Sequence, residues 1–334
     1  MSDGAAVSGR RVGLLLNPNS RRNRQQPDRA QRLVTMIGPI GSAEVTQRAR
    51  DVPDAIARLL ETRPDVIAIC GGDGTNHLAL TALRHQLGDD ALPPVAFLRG
   101  GTMNTVANGL GITGTPEHLL TRLMEAPYPL PVRPVGLLGV RDDVTTRYGF
   151  LFGTGVMARF LELYYEAPDP NPVHAARTLT RVVTSVVAGG ALARSLLRTE
   201  RSCALCDGSP WLHGPTRGIL ASSVPEIGLG FTPFPRCDEV PGRFHAIGLL
   251  AGPTDLVRAL PSIWRGSHPG REGLPDRVAG QLRIRSQEGH AWVLDGDLYP
   301  CRGALDVHWD QSVSVFQPEQ RSAPSTMVDR LRSR

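Results

Sequence analysis

Short apolar runs alternate with longer segments of amphipathic spacing over the first 130 residues. Four apolar runs predict buried strands, at Val12–Leu16, Ala43–Thr46, Asp65–Cys70 and Val95–Leu98. Three intervening segments predict helices, at 28–37, Val52–Glu61 and Asn76–Gln86, the second with Asp51 as its N-cap. Strands that alternate with helices are typical of an α/β domain with a doubly wound parallel sheet.

The texture of the chain changes at the proline-rich stretch Ala126–Pro134, which predicts a domain boundary. Short apolar runs then predict a second, mostly antiparallel β-sandwich domain, with strands at 135–140, 147–152, 218–224, 244–250, 281–285 and 291–294. The segment 174–200 is predicted to be helical. We expect an α/β domain over 10–132, a β-rich domain over 133–304, late strands at 305–316 that return to the first domain, and a disordered tail over 317–334.

Composition narrows the class of protein. The chain has 334 residues, 41% of them hydrophobic, which is enough for two cores without a disulfide framework. Its five cysteines are odd in number and irregularly spaced, which favours reduced thiols and a cytoplasmic location. No signal-peptide pattern and no apolar run long enough to span a bilayer is present, so we expect at most a peripheral contact with the inner membrane face.

Charge adds one sharp constraint. The formal net charge of +5 suits an anionic substrate or membrane surface, and the scarcity of aromatic residues among the arginines disfavours nucleic acid as a partner. The chain contains no lysine, which excludes the lysine-bearing phosphate loops of P-loop NTPases and of protein kinases. Any nucleotide phosphate must therefore be held by backbone amides, arginine and metal.

Three polar turns follow the ends of predicted strands. They are Asn17-Pro18-Asn19-Ser20, Gly71-Gly72-Asp73-Gly74-Thr75 and Gly101-Thr102-Met103-Asn104. Ligands of open α/β sheets bind beyond the carboxyl ends of the strands, and glycine-rich backbone can surround phosphate oxygens with amides. Asp73 lies within an anion-binding turn, which indicates a role through Mg²⁺ or through a hydroxyl. Each turn taken alone also reads as an ordinary tight turn or helix cap.

In this order and spacing, the three turns resemble the diacylglycerol kinase catalytic domain family, which includes bacterial lipid kinases and sphingosine and ceramide kinases and is related to NAD kinases. Asp295-Gly296-Asp297 resembles the family's late Asp-Gly-Glu motif, and Phe150–Val156 resembles its glycine-bearing strand. The resemblance extends over roughly residues 10–316. Without it, Asp295-Gly296-Asp297 would read as a hairpin turn.

The resemblance implies an ATP-dependent lipid kinase with Mg²⁺ as a cofactor and a diacylglycerol- or sphingoid-type lipid as the acceptor. It implies that ATP contacts the three turns through Asn17, Pro18, Asn19, Ser20, Gly71–Thr75, Gly101, Thr102 and Asn104. Asp297 would be the general base, in place of the family's usual Glu, and Asp295 would be structural. Asp73 would contact the metal of Mg-ATP. A homodimer is left open.

One further departure from the family pattern and three alternatives complete the expectations. Pro241 stands where bacterial members carry an Asp of a structural Mg²⁺ site, so that metal is expected to be absent unless Asp238 or Glu239 substitutes. The alternatives are an NAD kinase-like enzyme with a soluble acceptor, a non-catalytic nucleotide- or lipid-binding relative, and, for Cys203 and Cys206, a zinc site in place of plain thiols.

Overall fold

The computed structural model describes residues 9–166, 171–286, 290–301 and 303–318. The tail that the sequence predicts to be disordered, 317–334, lies almost entirely outside these residues.

The amino-terminal part is a parallel sheet flanked by helices. Its strands are β1 (Val12–Leu16), β2 (Ser42–Val45), β3 (Val66–Cys70) and β4 (Val95–Phe97), in the order β2-β1-β3-β4. The helices are α1 (Arg21–Arg24), α2 (Arg29–Ile37), α3 (Val52–Glu61), α4 (Asp73–Leu87), α5 (Thr105–Gly109) and α6 (Pro116–Glu125). Every residue of β1 and β3 is buried, as expected for strands covered on both faces. The predicted α/β fold is confirmed.

Two local expectations need correction. Asp51 precedes α3, but its side chain makes no capping hydrogen bond to that helix; it accepts one from the backbone of Arg48 instead. Helix α4 begins at Asp73, three residues before the predicted start at Asn76. The aspartate of the glycine turn therefore belongs to the first turn of a helix, where backbone N–H groups have no intrahelical partner.

The same sheet continues as antiparallel strands beyond the proline-rich stretch. These are β5 (Val132–Arg141), β6 (Thr146–Gly149), β8 (Glu200–Cys206), β9 (Ser209–Thr216), β13 (Gln281–Ser286) and β16 (Ala304–Phe316). Strand β16 joins the two parts, because it pairs in parallel with β4 at Val315 and Val95 and antiparallel with β5 and β13.

A second, antiparallel sheet packs on this extension. It consists of β7 (Leu151–Thr154), β10 (Ile219–Ser222), β11 (Phe244–Gly248), β12 (Asp276–Ala279), β14 (His290–Leu294) and β15 (Asp297–Cys301), in the order β12-β11-β10-β7-β14-β15. Phe152 and Trp292 from this sheet share a buried core with Leu282 and Val307 from the first. The two sheets thus form a β-sandwich, and the predicted fold class is confirmed.

Four helices cover the outer face of the second sheet: α7 (Val156–Tyr165), α8 (Pro172–Val187), α9 (Ala191–Leu196) and α10 (Pro253–Trp264). Helix α8 starts with Pro172 at its first position, and the side chain of Asn171 caps it by accepting from His174 N. The helical segment predicted over 174–200, with Gly189-Gly190 as its weak point, forms two helices separated at these glycines, and Glu200 already belongs to β8. Within the described ranges, no helix is long and apolar enough to cross a membrane.

Candidate active site

The two glycine turns lie in direct contact. A methyl group placed on Gly101 would lie only 2.3 Å from Gly72 Cα, and one on Gly72 would lie 3.3 Å from Gly101 Cα. Only residues without a Cβ allow two backbones to approach so closely. The turns after β3 and β4, which the sequence places at one edge of the sheet, therefore form one continuous surface of backbone.

The turn after β1 joins this surface through hydrogen bonds. Asn17 Nδ2 donates to Thr75 Oγ1 at 3.1 Å, and the Asn17 backbone N–H donates to Cys70 O at 3.0 Å. Asn23 was not among the predicted site residues, although it is only 4% exposed. Its Nδ2 donates to Asn17 O and Cys70 O, so it connects β1 to β3. In the sequence, the only signal for Asn23 is an asparagine that interrupts a run of arginines directly after the first polar turn.

The other predicted nucleotide contacts divide by where their side chains point. The Asn19 backbone N–H donates to Asn17 Oδ1, and the Asn19 side chain donates to Gln47 O, outside the glycine surface. Ser20 precedes α1 without a side-chain capping bond, and Pro18 lies in the same turn. Asn104, at a φ of +47°, pairs both side-chain atoms with Gly101, so it holds the shape of its own turn.

Asp73 links the two glycine turns electrostatically. Its carboxylate accepts hydrogen bonds from the Thr105 and Val106 N–H groups at 3.0 and 3.3 Å, at the start of α5. Burial raises the pKa of Asp73, and these N–H groups oppose that rise. Each carboxylate oxygen can accept more than one contact, so the group keeps capacity for a cation or a hydroxyl.

The late Asp-Gly-Asp motif is a two-residue hairpin turn between β14 and β15. Asp295 and Gly296 have φ values of +47° and +91°, as a type I′ turn requires, and Leu294 pairs with Asp297. Asp295 accepts hydrogen bonds from the Phe150 and Leu151 N–H groups, which fastens the turn to β7. Burial raises the pKa of Asp295 to about 8.

Asp297 lies directly against the glycine turn of α4. A methyl group placed on Gly74 would be 2.9 Å from Asp297 Oδ1 and 3.0 Å from Oδ2. Burial, and then the nearby negative charge of Asp73, raise the pKa of Asp297 to about 6. Among the described residues, no group donates a hydrogen bond to the Asp297 carboxylate. The fold thus brings the two predicted catalytic carboxylates together, one from the start of helix α4 and the other from the start of strand β15.

A cavity of about 480 Å³ opens from these carboxylates. Its polar end is formed by Asp73, Gly74, Thr102, Asp295 and Asp297. The rest runs between the outer face of the second sheet and helices α7 to α10, and its walls are apolar, among them Leu151, Val156, Phe160, Leu179, Val182, Leu220, Ile247, Leu256, Leu260 and Val293. This arrangement suits an apolar molecule that presents one polar group to the carboxylates.

The weaker candidates are occupied by other contacts. Asp238 pairs with Arg133 at 2.8 Å, and Glu239 pairs with Arg236 at 2.6 Å. Cys203 Sγ lies 3.4 Å from His213 Nδ1 on neighbouring strands. In the part of the chain that the structure describes, no cluster of three or more His, Cys, Asp or Glu side chains is placed to hold a metal ion.

Comparison with known structures supports the same fold. The chain is 14% identical to a candidate diacylglycerol kinase from Bacillus anthracis, with 93% of this chain and 98% of that one covered at a TM-score of 0.68. It is 13% identical to a diacylglycerol kinase from the same organism, over 93% and 98% at a TM-score of 0.63.

Comparison with protein families is more specific. No curated protein matches the chain. The model of the diacylglycerol kinase catalytic domain matches residues 11–128, which contain all three polar turns. The resemblance inferred from the sequence is confirmed, because residues 11–128 match the diacylglycerol kinase catalytic domain.

Proposed function

We propose that the protein is an ATP-dependent lipid kinase, which transfers the γ-phosphoryl group of Mg-ATP to a hydroxyl of a diacylglycerol- or sphingoid-type lipid. The observation that carries the proposal is the continuity between Asp297 and the apolar cavity. A soluble acceptor such as NAD would need polar groups along its whole length, whereas polar residues here are concentrated at the carboxylate end.

The nucleotide is held by the three turns. The N–H groups of the first turn of α4 and the backbone of Gly71, Gly72 and Gly101 favour phosphate oxygens. Arg99, at a φ of +56°, supplies a half-buried guanidinium beside these turns, and its Nη2 donates to the neutral side chain of Asn108 at 2.7 Å. Its charge takes the place of the ammonium group that this chain lacks.

Magnesium fits this site as a companion of ATP. Mg²⁺ commonly binds through one or two carboxylates together with substrate phosphates, so a dedicated protein cluster is not required. Asp73 is the residue that would contact it, because its carboxylate lies between the two glycine turns and retains free lone pairs. When bound, the ion neutralises charge on the phosphates.

The chemistry is an in-line displacement. The lipid hydroxyl oxygen forms a bond to the γ-phosphorus, the bond from that phosphorus to the bridging oxygen of ADP breaks, and the hydroxyl proton passes to Asp297. A base works best when its pKa is near the working pH, and a pKa of about 6 leaves Asp297 largely ionised at neutral pH. Asp is one methylene shorter than Glu, and the Asp297 carboxylate lies close to Gly74 of the nucleotide-binding turn.

We further propose a peripheral contact with the inner membrane face, through which the lipid enters. Helices α8 and α9 cover the cavity, and residues 171–198 contain four arginines and no acidic residue. Val173 and Val187 on α8 are 67% and 81% exposed. An apolar and cationic surface of this kind favours anionic lipid headgroups. Flotation with phosphatidylserine vesicles, compared with phosphatidylcholine vesicles, tests this contact and the cytoplasmic location that goes with it.

Light scattering would decide whether the protein is a homodimer.

Labelled ATP incubated with a total lipid extract and, separately, with NAD tests the function. We expect label in an organic-phase lipid, identified by mass spectrometry. The Asp297→Asn variant serves as the matched control, because it removes the base while keeping the side chain's shape. Label that appears only in NAD would overturn the lipid assignment, and ATP binding without any transfer would indicate a non-catalytic relative.

A further inference from the structure

Helix α4 and strand β15 meet through two matched pairs of residues. On the helix, Gly74 and His77 are three positions apart and share one face. On the strand, Asp297 and Tyr299 are two positions apart and also share one face. Gly74 contacts the Asp297 carboxylate, and His77 contacts the Tyr299 hydroxyl. The nucleotide-binding helix and the strand that bears the base are therefore joined at two points.

The His77 side chain has a defined tautomer. Nδ1 lies 2.7 Å from Tyr148 O, and since a carbonyl can only accept, Nδ1 carries the proton. Nε2 is then the acceptor for the Tyr299 hydroxyl, 2.6 Å away. Burial lowers the pKa of His77 to about 4, so the ring is neutral at pH 7 and keeps its acceptor. We call this contact the His77–Tyr299 bridge.

The rest of Tyr299 is held by ring contacts. Its ring lies 4.8 Å from that of Trp292, and the Arg147 guanidinium sits 4.3 Å from its centroid. Arg147 is itself fixed by Asp142 at 2.6 Å. The Tyr299 hydroxyl interacts with His77 through the bridge and also with the Arg147 side chain.

Asp297 depends on this support because its carboxylate has no hydrogen bond of its own among the described residues. Its position is set by the backbone of β15 and by the backbone of Gly74. A base displaced by about 1 Å can lose roughly 100-fold in rate. The His77–Tyr299 bridge joins the same two elements two residues farther along β15.

We propose that His77 and Tyr299 are positioning residues, whose bridge holds the Asp297 carboxylate at its working distance from the nucleotide-binding turn. The expected loss of kcat rests on the proposed function. The expected shift in the position of Asp297 rests only on the contacts described above. Neither residue lines the cavity that opens from the carboxylates, so substrate affinities are not expected to depend on the bridge.

Tyr299→Phe is the first test, because it removes the hydroxyl and keeps the ring between Trp292 and Arg147. We expect kcat to fall about 10- to 100-fold with the KM for ATP unchanged, since the base is displaced and the glycine turns are not. Tyr148→Phe is the matched control: it removes another tyrosine hydroxyl beside α4 and leaves the backbone carbonyl that His77 contacts. A wild-type kcat in Tyr299→Phe would overturn the proposal.

His77 variants separate positioning from a merely structural role. Gln can still accept the tyrosine hydroxyl, so His77→Gln should retain most of the kcat that His77→Leu loses. The double variant His77→Leu, Tyr299→Phe should fall no further than either single variant, as expected for two ends of one contact. Equal losses in His77→Gln and His77→Leu would contradict the bridge.

Titration of Asp297 by carbon-13 NMR decides the inference even if no lipid is phosphorylated. In Tyr299→Phe the loosened strand admits water, so the pKa of Asp297 should fall from about 6 toward its ordinary value. An unchanged pKa would refute the positioning role while leaving the lipid kinase assignment intact. A shifted pKa in a protein that phosphorylates no lipid would support the bridge and refute the function.

Discussion

Replacing Gly74 with alanine tests the contact between the nucleotide turn and the base. Gly74 lies in the first turn of α4 and has ordinary helical backbone angles, so alanine fits the helix without strain. The added methyl group would point at Asp297, 2.9 Å from Oδ1 and 3.0 Å from Oδ2. The substitution therefore disturbs the position of one carboxylate and little else.

The size of the effect follows from these distances. Ordinary contact begins at 3.4 Å, so the Asp297 carboxylate must withdraw by about 0.5 Å. A displacement of 1 Å costs roughly 100-fold in rate, so half of that distance should cost about 10-fold in kcat. Alanine is a better helix former than glycine by up to about 1 kcal/mol, so the free energy of unfolding should stay the same or rise. Lower activity with undiminished stability is the expected signature.

The assay is transfer of labelled phosphate to lipid in mixed micelles, with thermal unfolding of the same preparations. Gly280→Ala is the control, because a methyl group there would meet no atom closer than 3.5 Å. We expect that control to keep the kcat of the wild type. If Gly74→Ala also keeps it, Asp297 does not occupy this position during catalysis, and the base must be sought elsewhere, with Asp73 as the candidate.

Three further substitutions test other parts of the site. Asp297→Asn should lower kcat by about 10²- to 10⁴-fold, and the fall in wild-type activity below about pH 6, as the base becomes protonated, should disappear from its pH profile. The pKa of Asp295 is about 8 in the folded protein, compared with an ordinary value of 3.8. The free energy of unfolding of the wild type should therefore fall as the pH rises from about 4 to 8. Urea unfolding should show a smaller fall for Asp295→Asn. Arg99→Gln should raise the KM for ATP by about 10-fold, while Arg24→Gln, on an exposed side chain of α1, should change it by less than about twofold.

The sequence predicted the nucleotide edge well because local signals specify it. Apolar strands, each followed by a polar turn, are recognisable one at a time, and parallel topology then places their carboxyl ends together. The contact between Gly72 and Gly101 could not be read from the chain, since it depends on how two turns pack. The earlier start of α4 at Asp73 was missed because glycines at 72 and 74 are poor helix formers.

The second half was harder to predict because its elements carry conflicting signals. Strand β9 contains Pro210 and Pro215, which normally argue against a strand, and as the end strand of its sheet it can tolerate them. Helix α10 contains Pro261, and because a proline inside a segment normally argues against a helix, the sequence did not predict this one. The hairpin turn at Asp295 and Gly296 could be predicted from the local sequence. Only the tertiary structure shows that Asp297, which follows the turn, lies against Gly74.

The absence of lysine leads to a last prediction. Backbone amides do not titrate, and the guanidinium of arginine stays protonated throughout the mildly alkaline range, so no cation proposed for the nucleotide site loses its charge there. The KM for ATP should therefore stay constant from about pH 7.5 to 9.5, a range in which a lysine with a lowered pKa would release its proton. Steady-state kinetics at saturating lipid measure this directly, with Arg99→Gln as a variant whose KM should be higher but equally flat. A loss of ATP affinity across that range would mean that a titrating group contributes to phosphate binding. The glycine backbone around Gly72 and Gly101 would then not supply most of the binding energy for the nucleotide.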